Sequence, residues 1–393
     1  MKKLLLASAA TLGCAGGANA EDIKIGVLLG FTGPIESMSV AMGAGADLAI
    51  KEVNESGRLL DGDTVVAVRG DATCIDSSAA TAAAERMITS DGVKGIMGAA
   101  CSGVTGAVLQ NVARPNGMVM ISPSATSPAL SDVEDDGLFF RTAPSDARQG
   151  QVMANILKDD GVDSVALTYT NNDYGKGLAN SFETAFTAAG GTVTISAAHE
   201  DDKGDYSAEV GALAAAGGDL LLVAGYADRG GAGILRSALD LGAFDRFHFP
   251  DGMVSDATTD AFGDEIDGST GQLPGNDTPG AEKYAEIVDG AFDSTAIFSG
   301  ESYDATALIL LAMQAAGSTD PQVYKDKIMD VANAPGEEIY PGELDKALQI
   351  LADGGDIDYV GATALEFIDG GESRGNYRVV KVEDGKFVAT GYR

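Results

Sequence analysis

Short apolar runs alternate with helix-period segments along most of this chain, and the alternation runs twice. Ile23-Lys24-Ile25-Gly26-Val27-Leu28-Leu29 reads as a buried strand. It meets the turn Gly30-Phe31-Thr32-Gly33-Pro34 and then a helix with Ala46, Ala49, Ile50 and Val53 on one face, ended by Gly57. Strands are expected at 64–69, 93–98, 118–122 and 139–141, with helices at 77–90 and 105–113. The second series places helices at 150–159, 175–189, 206–216 and 231–241 and strands at 164–169, 192–197, 220–224 and 247–250. Helices follow at 282–289, 303–316, 321–331 and 341–352, and the tail holds strand-like runs at 377–382 and 386–389 around the hairpin dipeptide Asp384-Gly385. Repeated strand–helix–strand units build mainly parallel sheets with helices on both faces. The expected fold is therefore α/β, with two doubly wound, Rossmann-like lobes.

A chain of 393 residues has room for two such lobes. Its acidity excludes whole classes of partner. With 59 acidic against 26 basic residues and a net charge of −33, it lacks the basic surface that nucleic acid or an anionic membrane requires. The simplest use of the surplus is solubility. The only two histidines, His199 and His248, exclude a multi-histidine metal site, and no metal or cofactor is expected.

Residues 1–20 read as a secretory signal: Lys2 and Lys3, the apolar run Leu4 to Leu12, and the small-residue site Ala18-Asn19-Ala20. The expected destination is the periplasm. Lipid anchoring at Cys14 is the rival, but Thr11 stands where such a site usually has Leu. Removing the signal leaves Cys74 and Cys101, which in an oxidising compartment form either a disulfide or two buried thiols.

In open α/β sheets, ligands bind beyond the carboxyl ends of the strands, which selects candidates directly. Ser102 and Thr105 follow one strand and open a helix, a combination suited to a carboxylate. Ser124 and Thr126 lie in Pro123-Ser124-Ala125-Thr126-Ser127-Pro128. Tyr174, Tyr226 and Asp251 stand after three strands of the second series, and an acid with two tyrosines suits a small ligand bearing a cation. Each residue alone could equally be a cap or a packed turn; their convergence on strand ends favours a site.

Taken in order, these segments resemble the type I periplasmic binding proteins of ABC importers, in particular the branched-chain amino-acid (leucine/isoleucine/valine) binding proteins. The resemblance spans Ile23 to about Gly391. It is carried by Gly33-Pro34, Asp71-Ala72-Thr73-Cys74, Cys101-Ser102-x-x-Thr105 and Ile121-Ser122-Pro123-Ser124-Ala125-Thr126. Further on it is carried by Asn172-Asp173-Tyr174-Gly175-x-Gly177-Leu178-Ala179, Gly225-Tyr226 and Pro250-Asp251-Gly252.

The resemblance implies capture of an amino acid by hinge closure, without chemistry, and delivery to a membrane permease by a monomer. It implies three crossings between lobes, near Ala143, Gly271 and Phe367. The lobes would then be 21–143 with 272–366, and 144–271 with 367–393. It implies a Cys74–Cys101 disulfide bracing the Ser102 loop. Ser102, Ser124 and Thr126 would hold the carboxylate and part of the ammonium, Tyr226 and Asp251 would complete the ammonium site, and Tyr174 would help close the cleft.

Two positions depart from the family pattern. Asp251 stands where leucine-type proteins commonly carry Glu, and Met38 replaces an aromatic residue near the first helix. The segment Glu337 to Gly361 is similar to a broader branch that includes binders of amides, urea and aromatic acids. A ligand sensor on the same fold is a further alternative.

An enzyme reading has one foothold, Gly371-Glu372-Ser373-Arg374-Gly375, which fits the serine-hydrolase pattern G-x-S-x-G. It lacks a later His, and a strand follows it. Asp201-Asp202-Lys203-Gly204-Asp205 lacks the spaced ligands and closing Glu of a calcium loop.

Overall fold

The computed structural model describes residues 22–393. The expected signal at 1–20, with Cys14, lies outside them. Strands β1 (Asp22–Leu29), β2 (Thr64–Asp71), β3 (Gly95–Gly98), β4 (Met120–Ser122) and β5 (Phe139–Pro144) come first. The next five are β6 (Ser164–Thr170), β7 (Thr192–His199), β8 (Leu220–Ala224), β9 (Phe247–Phe249) and β10 (Thr270–Pro274). A small pair, β11 (Glu337–Ile339) and β12 (Ile357–Tyr359), precedes β13 (Phe367–Ile368), β14 (Glu372–Ser373), β15 (Tyr377–Glu383) and β16 (Lys386–Tyr392).

These strands build two seven-stranded sheets of order β13-β14-β5-β4-β3-β1-β2 and β16-β15-β10-β9-β8-β6-β7. Pairing is parallel from β14 through β2 and from β10 through β7; β13, β15 and β16 are antiparallel edges. The fold is thus mixed α/β in two wound lobes. In each sheet the first strand lies between neighbours reached in opposite directions, the geometry that leaves a crevice at the carboxyl ends.

The chain changes sheets after Pro144, after Pro274 and between Ser373 and Tyr377. The first change falls at the expected position. The second comes slightly later than Gly271, because Thr270–Pro274 form β10 of the second sheet. The third corrects the expectation at Phe367: residues 367–373 pair as β13 and β14 in the first sheet. Those strands are two residues long, too short for a period-2 signal.

Apolar strands explain the core. Leu220–Ala224 are buried throughout, as befits a central parallel strand. The helix Ser299–Ala316 is buried nearly all round because it packs under the first sheet.

Candidate ligand-binding site

Carboxyl-terminal loops from both sheets line one small, partly open void. From the first sheet come Ala100, Cys101, Ser102 and Ser124; from the second come Tyr174, Tyr226, Asp251 and Gly252. Ile35, Met38, Met42 and Phe298 supply an apolar portion. Five of the seven candidate residues therefore face one space, across the two sheets. Thr126 does not line it; it is buried beneath, and its hydroxyl has no regular hydrogen bond.

On the first wall, hydroxyls hold the loops. Ser124 Oγ donates to Ala100 O at 2.9 Å, and Ser102 Oγ accepts from Ser127 N at 3.0 Å, which leaves the Ser102 proton for another acceptor. Thr105, a hydroxyl candidate from sequence, instead donates to Ala99 O at 3.1 Å. The helix Ser102–Val108 begins at the void, and the Cys74–Cys101 disulfide ties its entrance to the loop after β2.

Arg141 is fully buried on β5 under this wall. It donates to Ala125 O at 3.1 Å, Ser127 O at 2.8 Å, Ser131 Oγ at 2.9 Å and Glu372 at 2.6 Å. It thereby fixes the 125–131 loop from below, and it meets a residue of the G-x-S-x-G stretch in a structural role. Ser373 of that stretch is buried on β14 and runs into another strand, not into a strand-to-helix elbow.

The opposite wall is organised by Asp251. Tyr174 Oη donates to Asp251 Oδ1 at 2.5 Å, and Gly252 N donates to the same oxygen at 2.8 Å. Tyr226 stacks on Tyr174 with centroids 5.3 Å apart, and its hydroxyl accepts from Asn172 Nδ2 at 3.2 Å. A methyl group on Gly252 would fall 2.4 Å from Gly225 O and 2.8 Å from Tyr174 Oη, so only glycine lets the tyrosine reach the acid. Burial pushes both tyrosine hydroxyls well above their usual range, which keeps them neutral donors. Burial also raises Asp251, against hydrogen bonds from Tyr174 and Gly252.

Sequence reasoning missed Asp146 and Gln149, because the helix was expected to start at Gly150 and starts at Asp146, capped by Ser145. Both are fully buried, and both oxygens of Asp146 and both polar atoms of Gln149 lack regular hydrogen bonds. Burial, and then the charge of Asp251, hold Asp146 well above the carboxylate range; Thr126 and Arg141 pull it back. An available signal was the polar pair at i and i+3 directly after a crossing strand. Buried polar atoms without partners are uncommon, and those of Asp146 and Gln149 lie close to Asp251.

Among the described residues no cluster could hold a metal ion, and Asp201 instead accepts from Thr170 Oγ1 at 2.5 Å. No described helix is long and apolar enough to cross a membrane.

Two parallel-sheet lobes with polar groups aimed into one shared cleft define the class of two-lobed ligand-binding proteins. A family model described as periplasmic binding protein matches residues 22–334, and the chain belongs to that family. It is 31% identical over 313 residues to a Leu/Ile/Val-binding protein homolog of Brucella melitensis, covering 78% of this chain and 82% of the relative. A leucine-, isoleucine-, valine-, threonine- and alanine-binding protein of Pseudomonas aeruginosa is 30% identical over 83% of this chain and 86% of its own length. Among solved structures, a leucine-binding protein of Thermotoga maritima superposes with a TM-score of 0.79 at 23% identity, covering 94% of this chain and 98% of that one. A benzoate-bound solute-binding protein of R. palustris gives 0.76 at 18%, covering 94% and 96%.

Proposed function

We propose that this chain is the extracytoplasmic solute-binding protein of an ABC importer, capturing a small α-amino acid with an apolar side chain by closing its cleft. The observation that carries the reading is the pair of walls around the void: hydroxyls and a helix start on one side, and the buried Asp251, held by Tyr174, on the other. A zwitterion must give up water at both charges, so each charge needs a partner inside. Ser102 and the adjacent N–H groups suit the carboxylate. Asp251, with Asp146 behind it, suits the ammonium. The apolar set of Ile35, Met38, Met42 and Phe298 suits an aliphatic side chain.

The named ligands of the relatives support the same class. The benzoate-bound neighbour raises aromatic acids as a second reading, but an anion without an ammonium would meet two buried acids unpaired. Residues 1–20 are read as the export signal, the permease as the partner, and the activity as binding without catalysis. A thermal-shift screen against Leu, Ile, Val, Phe, urea and benzoate tests the proposal. Stabilisation by aliphatic α-amino acids is expected; stabilisation by benzoate or urea but by no α-amino acid would overturn it.

A further inference from the structure

Beside this void lies a second, larger space, open to solvent, between the two lobes. Its walls are mostly apolar, with Val254, Leu273, Phe292, Val380 and Phe387 among them. Met38 lines both spaces. The next part of the partition is a single turn of chain: Phe298 faces the small void and Ile297 the large one. On the helix Glu36–Ser56, the residues that face the groove beside Met38 are Ser37, Val40, Ala41 and Ala44.

We infer that Met38 is a movable partition through which the apolar side chain of a bound amino acid longer than leucine extends into the groove between the lobes. The inference rests on the amino-acid reading above and deepens it to a substrate class. The chemistry favours such an occupant. The void is small, its apolar lining includes Met38, and the space beyond Met38 is large and mostly apolar, with Asp256, Asp293 and Arg378 also on its walls, so a chain continuing along its apolar side buries further methylenes. Methionine is unbranched, with three rotatable side-chain bonds, and can swing aside where a ring at the same place would remain a wall.

Calorimetric titration of the purified protein with L-leucine and L-2-aminooctanoic acid tests this, in wild type, Met38→Ala and Met38→Tyr. The longer amino acid should bind wild type within about tenfold of leucine, the scale of a few methylenes in a pocket. Met38→Tyr should weaken it by about tenfold more than it weakens leucine, and Met38→Ala should shift the preference toward it. Leucine binding with no detectable 2-aminooctanoate binding, or equal losses for both ligands in Met38→Tyr, would overturn the partition and leave the amino-acid reading intact. Failure of both ligands with wild type would instead remove the reading on which the partition rests.

Discussion

At the scale of single residues, the site is defined by charges that burial makes costly. Burial pushes both Asp251 and Asp146 above the carboxylate range, and the charge of Asp251 adds to the rise at Asp146. A bound ammonium favours their ionised forms, so ligand must displace protons whenever they are protonated. Affinity for an α-amino acid should therefore fall as pH is lowered from neutrality, before ordinary carboxylates titrate. Calorimetry in buffers of different ionisation heat should show protons released on binding; a flat affinity down to pH 4 would contradict this. Asp251→Ala should weaken binding by about a hundredfold or more, since it strands an ammonium in a closed cleft, with the far-ultraviolet dichroism unchanged.

A third buried acid has the opposite kind of consequence. Glu301 lies at the base of the crossings, and burial pushes it up to about 8 from an ordinary 4.5; Asp304 adds to the rise and Arg378 opposes it. Between those values the folded chain holds a proton that the unfolded chain releases, so this group subtracts stability as pH rises from 4.5 and levels off above 8. Glu301→Gln removes the titration. Its melting temperature should exceed that of wild type by an amount that grows from pH 5 to pH 8, reaching roughly 2–4 kcal/mol of stability. Parallel melting curves across that range would count against the assignment.

At the scale of elements, long periodic segments could be read from sequence and short ones could not. Leu220–Ala224 is found where its continuous apolar run places it, and the loops after β3, β4, β6, β8 and β9 carry five candidates into one void. That convergence has a physical basis: parallel sheets fix which strand end a loop occupies, so a list of strands becomes a list of candidate residues. The losses share a cause as well. β13 and β14 are two residues each, and β10 begins with Thr270-Gly271-Gln272, so none has enough apolar pattern to be seen. Missing the first turn of the helix Asp146–Asp159 also lost Asp146 and Gln149. Thr126 fell on the expected loop, but its side chain points beneath the void, a distinction no spacing rule carries.

The disulfide belongs to this scale because it couples two loops. Cys74 follows β2 and Cys101 precedes the helix that bears Ser102, 27 residues apart in sequence. Closing a loop of that length removes roughly 3–4 kcal/mol worth of freedom from the unfolded chain. Replacing both cysteines by serine should lower the denaturant midpoint by a corresponding amount. Amino-acid affinity should fall less, because Ser102 stays hydrogen-bonded to Ser127 N. A double variant as stable as wild type would show that the bond does not constrain the chain.

At the scale of the whole molecule, the proposed capture by closure draws on contacts made where the two lobes meet. Besides the void itself, Ser37 N donates to Asp228 Oδ2 at 2.9 Å, joining the first turn of the helix Glu36–Ser56 to the loop after β8. The two residues sit on opposite sides of the cleft, and 191 positions separate them in sequence. An acid facing unpaired N–H groups at a helix start is worth about 0.3–1 kcal/mol when exposed. If the contact forms only on closure, removing it changes the closed population by that free energy and leaves the pocket untouched. Asp228→Ala should therefore weaken amino-acid binding by about two- to fivefold, chiefly through faster dissociation, since encounter with the open form does not use it. Stopped-flow measurement separates the two rates. Solution scattering should show ligand compacting the variant as it compacts wild type, with more ligand needed to reach the same envelope. An unchanged dissociation rate would mean that Ser37 and Asp228 stay together in the open form, and that closure draws on the void's own contacts alone.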